Sequence, residues 1–528
     1  MRAISLPYSV TGRFAQVVLD HLAQASRLDG LYAWPMDRAG IKEAIAARSF
    51  PEESRERLVR ALERQYAGVE LDAAVQQNLR TLGDPRSVTI TTGHQLCLFT
   101  GPLYVPLKIM NTVRLARDLS TPERPVVPVF WMATEDHDRP EIDHVWFGAR
   151  KLTWPGPVAG AVGRLPLEGI GAVLDELAPL LGYGTRAEEL RALIRRCYRP
   201  EHTLAQATRL FVNALFGRFG VVVLDGDDAE LKALFAPIMR EESITQATER
   251  AVATTREQLK PYGEQAHARP INLFHLQAGS RTRIERLEGG FRVSEQGPLI
   301  SEADLLQEIE THPEHFSPNV LLRPIYQETI LPNVAYVGGG GEVAYWLQLR
   351  PVFERFNVPM PVVVLRTSIA LLEERSAERM SELGLTFHNL FRPLEELRAQ
   401  VARGHASFDT SLAVEEKEAR DLYARLAERA RHTDPTLEGA VAAIGQRALK
   451  ALERLEGKFV RAAKREQHDL LARLETLHGQ VFPGGSLQER RDNFMPYYLA
   501  HGAAFFDLLL ELDPLTKRFT MLVDDLAR

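Results

Sequence analysis

Five short apolar runs punctuate the chain, and each ends in polar residues or glycines. They are "SVTITTGHQ" (87–95), "PVVPVFWMATEDHD" (125–138), "GVVVLDGDD" (220–228), "NVAYVGGGG" (333–341) and "PVVVLRTS" (361–368). Runs of this length, rich in β-branched residues and mostly followed by helical periodicity, predict a parallel sheet covered by helices on both faces. In such a sheet, ligands bind beyond the carboxyl ends of the strands. Five strands of one parallel sheet would therefore bring Thr92–Gln95, Glu135–Asp138, Asp225–Asp228, Gly338–Gly341 and Arg366–Ser368 to one rim.

The segments around the runs set the remaining architecture. Residues 13–82 carry apolar residues at three- and four-residue spacing and read as helices. Pro106 falls near the start of a helix that follows Gly101 and Pro102. Wide gaps between the runs predict insertions at about 151–215 and 229–320, the second with a hairpin around Gly289-Gly290. The core then spans 1–372. Residues 373–480 form a helical arm, and 481–528 return to pack on the core.

In the arm, Ala448, Leu452, Leu455, Phe459 and Ala462 keep a heptad-like stripe, which Leu470, Leu474 and Leu477 resume after a slip. Leu412, Ala419, Leu422 and Leu426 make a shorter one. Asp434 as N-cap and Pro435 at the first helical position would begin the second helix of an antiparallel hairpin. From about 435 to 478 that helix would reach about 65 Å at 1.5 Å per residue. Its seam exceeds what the first helix can cover, which predicts a homodimer through the coiled coil.

Composition narrows the function classes. The chain has 528 residues and a net charge of −6, so no general basic field points to nucleic acid. No apolar run is long enough for a membrane span. Two cysteines, Cys97 and Cys197, make no disulfide framework, and the N-terminus has no leader-like apolar stretch. These features predict a cytoplasmic enzyme or binding protein.

The carboxylates and histidine of Glu135-Asp136-His137-Asp138 follow directly on a buried run and are the leading site candidates. The glycines at 338–341 lack the dinucleotide fingerprint, because Val343 stands at its third glycine position, and no Gly-Lys-Ser/Thr follows. They still permit close backbone approach to a ligand. "GHQLCLFTGPLY" could set backbone amides and His94 beside a phosphate. His137 and His144 with Asp136 match no strong metal template, so no metal ligand is assigned.

Four motifs carry a family resemblance: "TTGHQLCLFTGPLYVPLK", "PVFWMATEDHD", "LRPIYQETILPNVAYVGGGGEVAYW" and "LQERRDNFMPYYLAHG". Together and in this order they resemble the bacillithiol biosynthesis cysteine-adding enzymes. The resemblance implies a Rossmann-like core with connecting insertions and a coiled coil used for dimerisation. It also implies that L-cysteine is joined by an amide bond to the glucosamine amine of glucosaminyl malate, with ATP activating the cysteine carboxylate. Family members commonly have Gln at position 94 and Gly at position 97, so a role for His94 is not carried over.

With that chemistry, Asp136, His137 and His94 are the expected catalytic residues, Asp136 or His137 taking the amine proton. Thr92, Gly93, Gly101 and Pro102 are expected at the nucleotide. Gln95, Glu135, Asp138, Gly339, Gly340 and Glu342 are expected around the substrates, with Arg323 on the malate carboxylates. Gln327, Tyr345 and Trp346 would form the walls. A competing reading keeps the fold as a nucleotide- or sugar-binding protein with a degenerate site, whose coiled coil mediates assembly.

Overall fold

The computed structural model describes residues 1–525 except 158, 264 and 296. The five runs form one wholly parallel sheet of strands Val88–His94, Val126–Met132, Val222–Asp225, Asn333–Gly338 and Val362–Leu365. Counted by appearance, their spatial order is 3-2-1-4-5. The order reverses between Val88–His94 and Asn333–Gly338, which is the topological switch point of a Rossmann-like sheet. Val126–Met132 is buried throughout, which explains its unbroken apolar character. The helix Tyr104–Leu119 packs across three of these strands with Pro106 in its first turn. One residue in its buried face is charged, Lys108.

The N-terminal region holds helices Gln16–Ala23, Arg38–Ala47, Glu52–Gln65 and Ala73–Leu82. Within the second insertion, a three-stranded sheet aligns Phe316–Pro318, Leu273–Gln277 and Ser280–Arg283. The hairpin at Gly289-Gly290 is present, pairing Gly290 with Leu287.

A second three-stranded sheet is absent from the sequence-based reading. Arg518–Asp524 lies at its centre, antiparallel to Arg2–Pro7 and parallel to Ile369–Glu373. The returning C-terminal segment also places Glu489, fully buried, on Arg366 at 2.7 Å.

The arm differs from expectation in two respects. Helix Ala413–Thr433 runs antiparallel to Leu437–Glu466, whose 30 residues reach about 45 Å. The second helix breaks at Gln467, and His468–Val481 continues after the break. The break coincides with the slip in the stripe, and the Gln467 side chain donates to the His405 carbonyl at 2.8 Å. Asp434 is not the N-cap. It closes a turn by accepting from the Thr436 amide and hydroxyl, and the helix begins at Leu437.

Beneath the sheet, Glu328 is 1 % exposed, and burial raises its carboxyl to about 7 against the Arg48 charge and hydrogen bonds from Asn333 and Gln327. A carboxyl more basic when folded than the ordinary 4.5 opposes folding once ionised. Stability therefore falls as pH rises from 4.5 through 7. Relative to wild type, Glu328→Gln is expected to gain about 1–3 kcal/mol at pH 8 and nothing at pH 4.5. Denaturant unfolding at the two pH values measures the difference, and an equal offset at both would refute the assignment.

Candidate active site

At the switch point, the ends of the strands and the second insertion enclose a cavity of about 630 Å³. Gly93, His94 and Gln95 enter from the first strand, Glu135 and Asp136 from the second, and Gly339, Gly340, Gly341 and Glu342 from the fourth. Arg366 follows the fifth. Trp131, Tyr104, Tyr336 and Tyr345 supply aromatic surface. Six arginines line the space (Arg269, Arg281, Arg283, Arg323, Arg366 and Arg490) against three carboxylates (Glu135, Asp136 and Glu342). A chain of net charge −6 thus keeps a locally cationic cavity, suited to anionic ligands.

Each carboxylate is held differently. Asp136 accepts from the Gln95 side chain at 2.7 Å and from the His137 amide at 2.8 Å, with Arg281 at 3.7 Å. Burial alone would raise its carboxyl, but these groups drive it well below the usual range, so it stays ionised. Glu135 lies 2.6 Å from Lys232, a lysine 1 % exposed that also pairs with Asp227 at 3.0 Å. Burial raises the Glu135 carboxyl despite that charge. Glu342 accepts from Lys108 at 2.7 Å, Tyr336 at 2.5 Å and the Gly339 amide at 2.7 Å. Burial opposes its charge, yet Lys108 and these donors hold it at about 2.

His94 is neutral at any working pH. Burial, followed by the Lys108 charge, pushes its imidazole down to about 3. Its Nε2 lies 3.2 Å from the Tyr104 hydroxyl and 3.5 Å from the Cys97 sulfur. Burial pushes the Cys97 thiol up to about 12, so it is no nucleophile.

Ten of the expected residues line the cavity: Gly93, His94, Gln95, Glu135, Asp136, Arg323, Gly339, Gly340, Glu342 and Tyr345. Seven do not, each for a definable reason. The chain turns after Asp136, so His137 and Asp138 are exposed. The His137 ring packs on Phe274, and its Nδ1 accepts from Arg281 at 3.0 Å. Gln327 is fully buried behind Arg323, accepting from it at 3.0 Å. Trp346 is fully buried and stacks on Tyr336 with ring centroids 4.5 Å apart. Thr92 donates inward to the Val337 carbonyl at 2.7 Å.

Gly101 and Pro102 belong to a packed loop rather than a phosphate cradle. Asn493 donates to the carbonyls of Phe99 and Gly101 at 3.0 and 2.6 Å. Gly101 has φ +66°, and a Cβ there would meet the Cys97 Cβ at 2.4 Å. Glycine is required for that packing.

Lys108, Arg281, Arg283 and Arg490 were missed. Lys108 had a signal, a cation in a mostly apolar helix face. Arg281 and Arg283 had another, since alternate residues of a strand share a face. Arg490 stands in the "LQERRDNF" motif.

A family model described as bacillithiol biosynthesis BshC, N-terminal Rossmann-like domain, matches residues 1–367, and the family's C-terminal coiled-coil domain matches 369–523. The chain belongs to the BshC family. It is 39 % identical to a BshC protein of Flavobacterium johnsoniae, over 98 % of this chain and 99 % of that one. A Cytophaga hutchinsonii BshC protein is 35 % identical over 96 % of both, and one from Salinibacter ruber 33 % identical over 95 % and 94 %. All three bear a cysteine-ligase name. Membership makes the chain a ligase that forms a carbon–nitrogen amide bond.

The glycines at the cavity edge permit a test. None of Gly339, Gly340 and Gly341 has positive φ, so they are not there for a left-handed turn. A Cβ at Gly339 would meet the nearest atom, Glu342 Oε2, at 3.4 Å, and one at Gly340 would meet Val18 at 3.5 Å. Both are ordinary contacts, so Gly339→Val and Gly340→Val should fold but narrow the cavity. We expect at least about tenfold weaker ligand binding, near 1.4 kcal/mol, with Tm little changed. Calorimetry on soluble variants checks this, and unchanged affinity would mean the glycines serve the turn alone.

Proposed function

We propose that this chain is a cytoplasmic cysteine ligase of bacillithiol biosynthesis that joins L-cysteine to the glucosamine amine of glucosaminyl malate, with ATP activating the cysteine carboxylate. The observation that carries this reading is the cationic cavity at the switch point of a BshC-family sheet. Both acceptor and nucleotide are anionic, and arginine matches carboxylates and phosphates with a planar fork. Arg323 suits the malate carboxylates: it lines the cavity, with Nη1 held by Gln327 and the Tyr345 side chain beside the guanidinium.

Asp136, permanently ionised, anchors a substrate ammonium beside the reacting carboxyl. Its low basicity makes it a poor proton acceptor. Glu135, the cavity carboxylate that burial makes more basic, takes the proton as the acceptor amine attacks. Arginines and the backbone amides of Gly340 and Gly341 stabilise the charge that develops on the transferring groups.

The test is a reaction of purified chain, cysteine, glucosaminyl malate and ATP, read by mass spectrometry, with each component omitted in turn. The amide product is expected only in the complete mixture, with stoichiometric nucleotide cleavage. Ligation without ATP would reject the activation step. No ligation with any nucleotide would favour the degenerate-site reading.

The arm supports a homodimer in this proposal. Val414, Leu422, Leu426, Ile444 and Leu455 remain 39–67 % exposed along its helices. A twofold partner would cover the same surface on both copies, each side chain gaining about 1.5–3 kcal/mol if fully buried. Sedimentation at micromolar concentration should give a dimer that Leu426→Glu with Leu455→Glu converts to a helical monomer. A dimer that survives both charges would remove the arm from the interface.

A further inference from the structure

A second cluster of chemistry lies in the second insertion, away from the strand ends. His275 on strand Leu273–Gln277, Glu308 on helix Glu302–Thr311 and His315 just before strand Phe316–Pro318 bring their ligand atoms within 4.8 Å of one another. His275 Nε2 and His315 Nδ1 each lie 2.9 Å from the same oxygen, Glu308 Oε1. His275 is 3 % exposed, while the other two reach solvent. Nothing in the proposed ligation uses them.

Three elements must be fixed for this convergence, and the backbone fixes them. His275 pairs with Phe316 across the sheet, which sets His315 beside it. The His312 amide donates to the Glu308 carbonyl at 2.8 Å and the His315 amide to the His312 carbonyl at 3.0 Å, so the chain from Glu308 to His315 is one hydrogen-bonded unit. Two imidazoles and a carboxylate from rigid positions form a three-ligand set of the kind that borderline transition metals favour. Around a tetrahedral ion with bonds of about 2.0–2.1 Å, neighbouring ligand atoms stand about 3.3 Å apart. The present 2.9 Å separations need to open by only a few tenths of an ångström.

We propose that His275, Glu308 and His315 bind one divalent transition-metal ion of the zinc class, and that this ion fastens the outer wall of the cavity. His312 and Glu314 adjoin the set, and the His312 ring stacks on His315 with centroids 5.0 Å apart. Two links join the site to the cavity. Phe274 and Pro318, on the paired strands beside the ligands, line it. The Glu314 carbonyl accepts from Lys232, the lysine that holds Glu135, at 3.3 Å. This site does not depend on the ligase reading and has its own readout.

Full-length protein stripped with EDTA would be titrated with zinc chloride at pH 7.5 by calorimetry, with metal content checked by mass spectrometry. One equivalent is expected to bind at micromolar or tighter Kd and to raise Tm. Glu308→Gln and His315→Ala should each weaken binding by at least about a hundredfold, since even supporting residues around metal ligands cost 10–100-fold. Magnesium should not bind there. His315→Ala alters a surface residue, and circular dichroism verifies the fold of both variants. No zinc bound at 100-fold molar excess would overturn the proposal, as would wild-type affinity in both variants. Loss of binding in His312→Ala with Glu308→Gln unaffected would also overturn it.

Discussion

Replacing Asp136 by Asn is expected to lower kcat/KM by about 10²-fold or more with the fold intact, the scale of a charge lost at a reacting centre. Asn keeps the shape, but its single oxygen can replace only one of the two carboxylate oxygens that accept from Gln95 and from the His137 amide. The loss therefore reports the charge together with one hydrogen bond. Because Asp136 is ionised throughout the working range, its loss should leave the shape of the pH–rate profile unchanged. His137→Ala should cost less than about tenfold, because His137 does not line the cavity and its ring packs on Phe274. Steady-state kinetics over pH decide the matter. Equal losses in the two variants would return His137 to the reaction, and wild-type turnover in Asp136→Asn would move the site elsewhere.

Lys108→Met should be the most damaging single change in the core of the site. Lys108 is 1 % exposed and donates to the Gly93 carbonyl at 2.5 Å and to Glu342 at 2.7 Å. Losing one partner of a buried pair costs about 3–5 kcal/mol. Glu342 keeps 26 % exposure to the cavity, so about 2–4 kcal/mol is expected here. The sign with pH follows from Glu342, whose carboxyl is held down at about 2. Its contribution is complete above the ordinary 4.5 and is lost as pH falls toward 2. The gap between wild type and Lys108→Met should therefore close over that interval. Adding Glu342→Gln should restore much of the stability at pH 7.5 without restoring activity. A gap independent of pH, or no recovery in the double variant, would show that Lys108 contributes packing rather than charge.

The legible parts of this molecule share a physical cause. Val126–Met132 is buried on both faces, so its sequence is apolar without interruption and announces a strand. The slip in the periodic stripe falls at the Gln467 break, although the spacing alone reads as one helix through it. Asp136 could be placed at the rim because it follows such a run, but the turn after it could not be read from residue types. That turn divides Asp136 from His137 and Asp138. Gln327 and Trp346 have polar or aromatic character consistent with a binding wall, yet tertiary packing buries them as its backing. Arg281 reaches Asp136 from a position 145 residues away, and no local pattern encodes that meeting. The sheet of Arg2–Pro7, Ile369–Glu373 and Arg518–Asp524 escaped for the same reason, since its partners carry no mutual signal along the chain.

That sheet sets a schedule for biosynthesis. Arg2 pairs with Val523, and the strand containing Val523 also separates Arg2–Pro7 from Ile369–Glu373. Until the last of these strands leaves the ribosome, neither of the other two has its neighbour. At about 5–20 residues per second, the first waits roughly half a minute to two minutes for its partner. Its unpaired backbone is available to other nascent chains throughout. Slower translation lengthens that wait and should raise the insoluble fraction, whereas chaperones that shield extended segments should lower it.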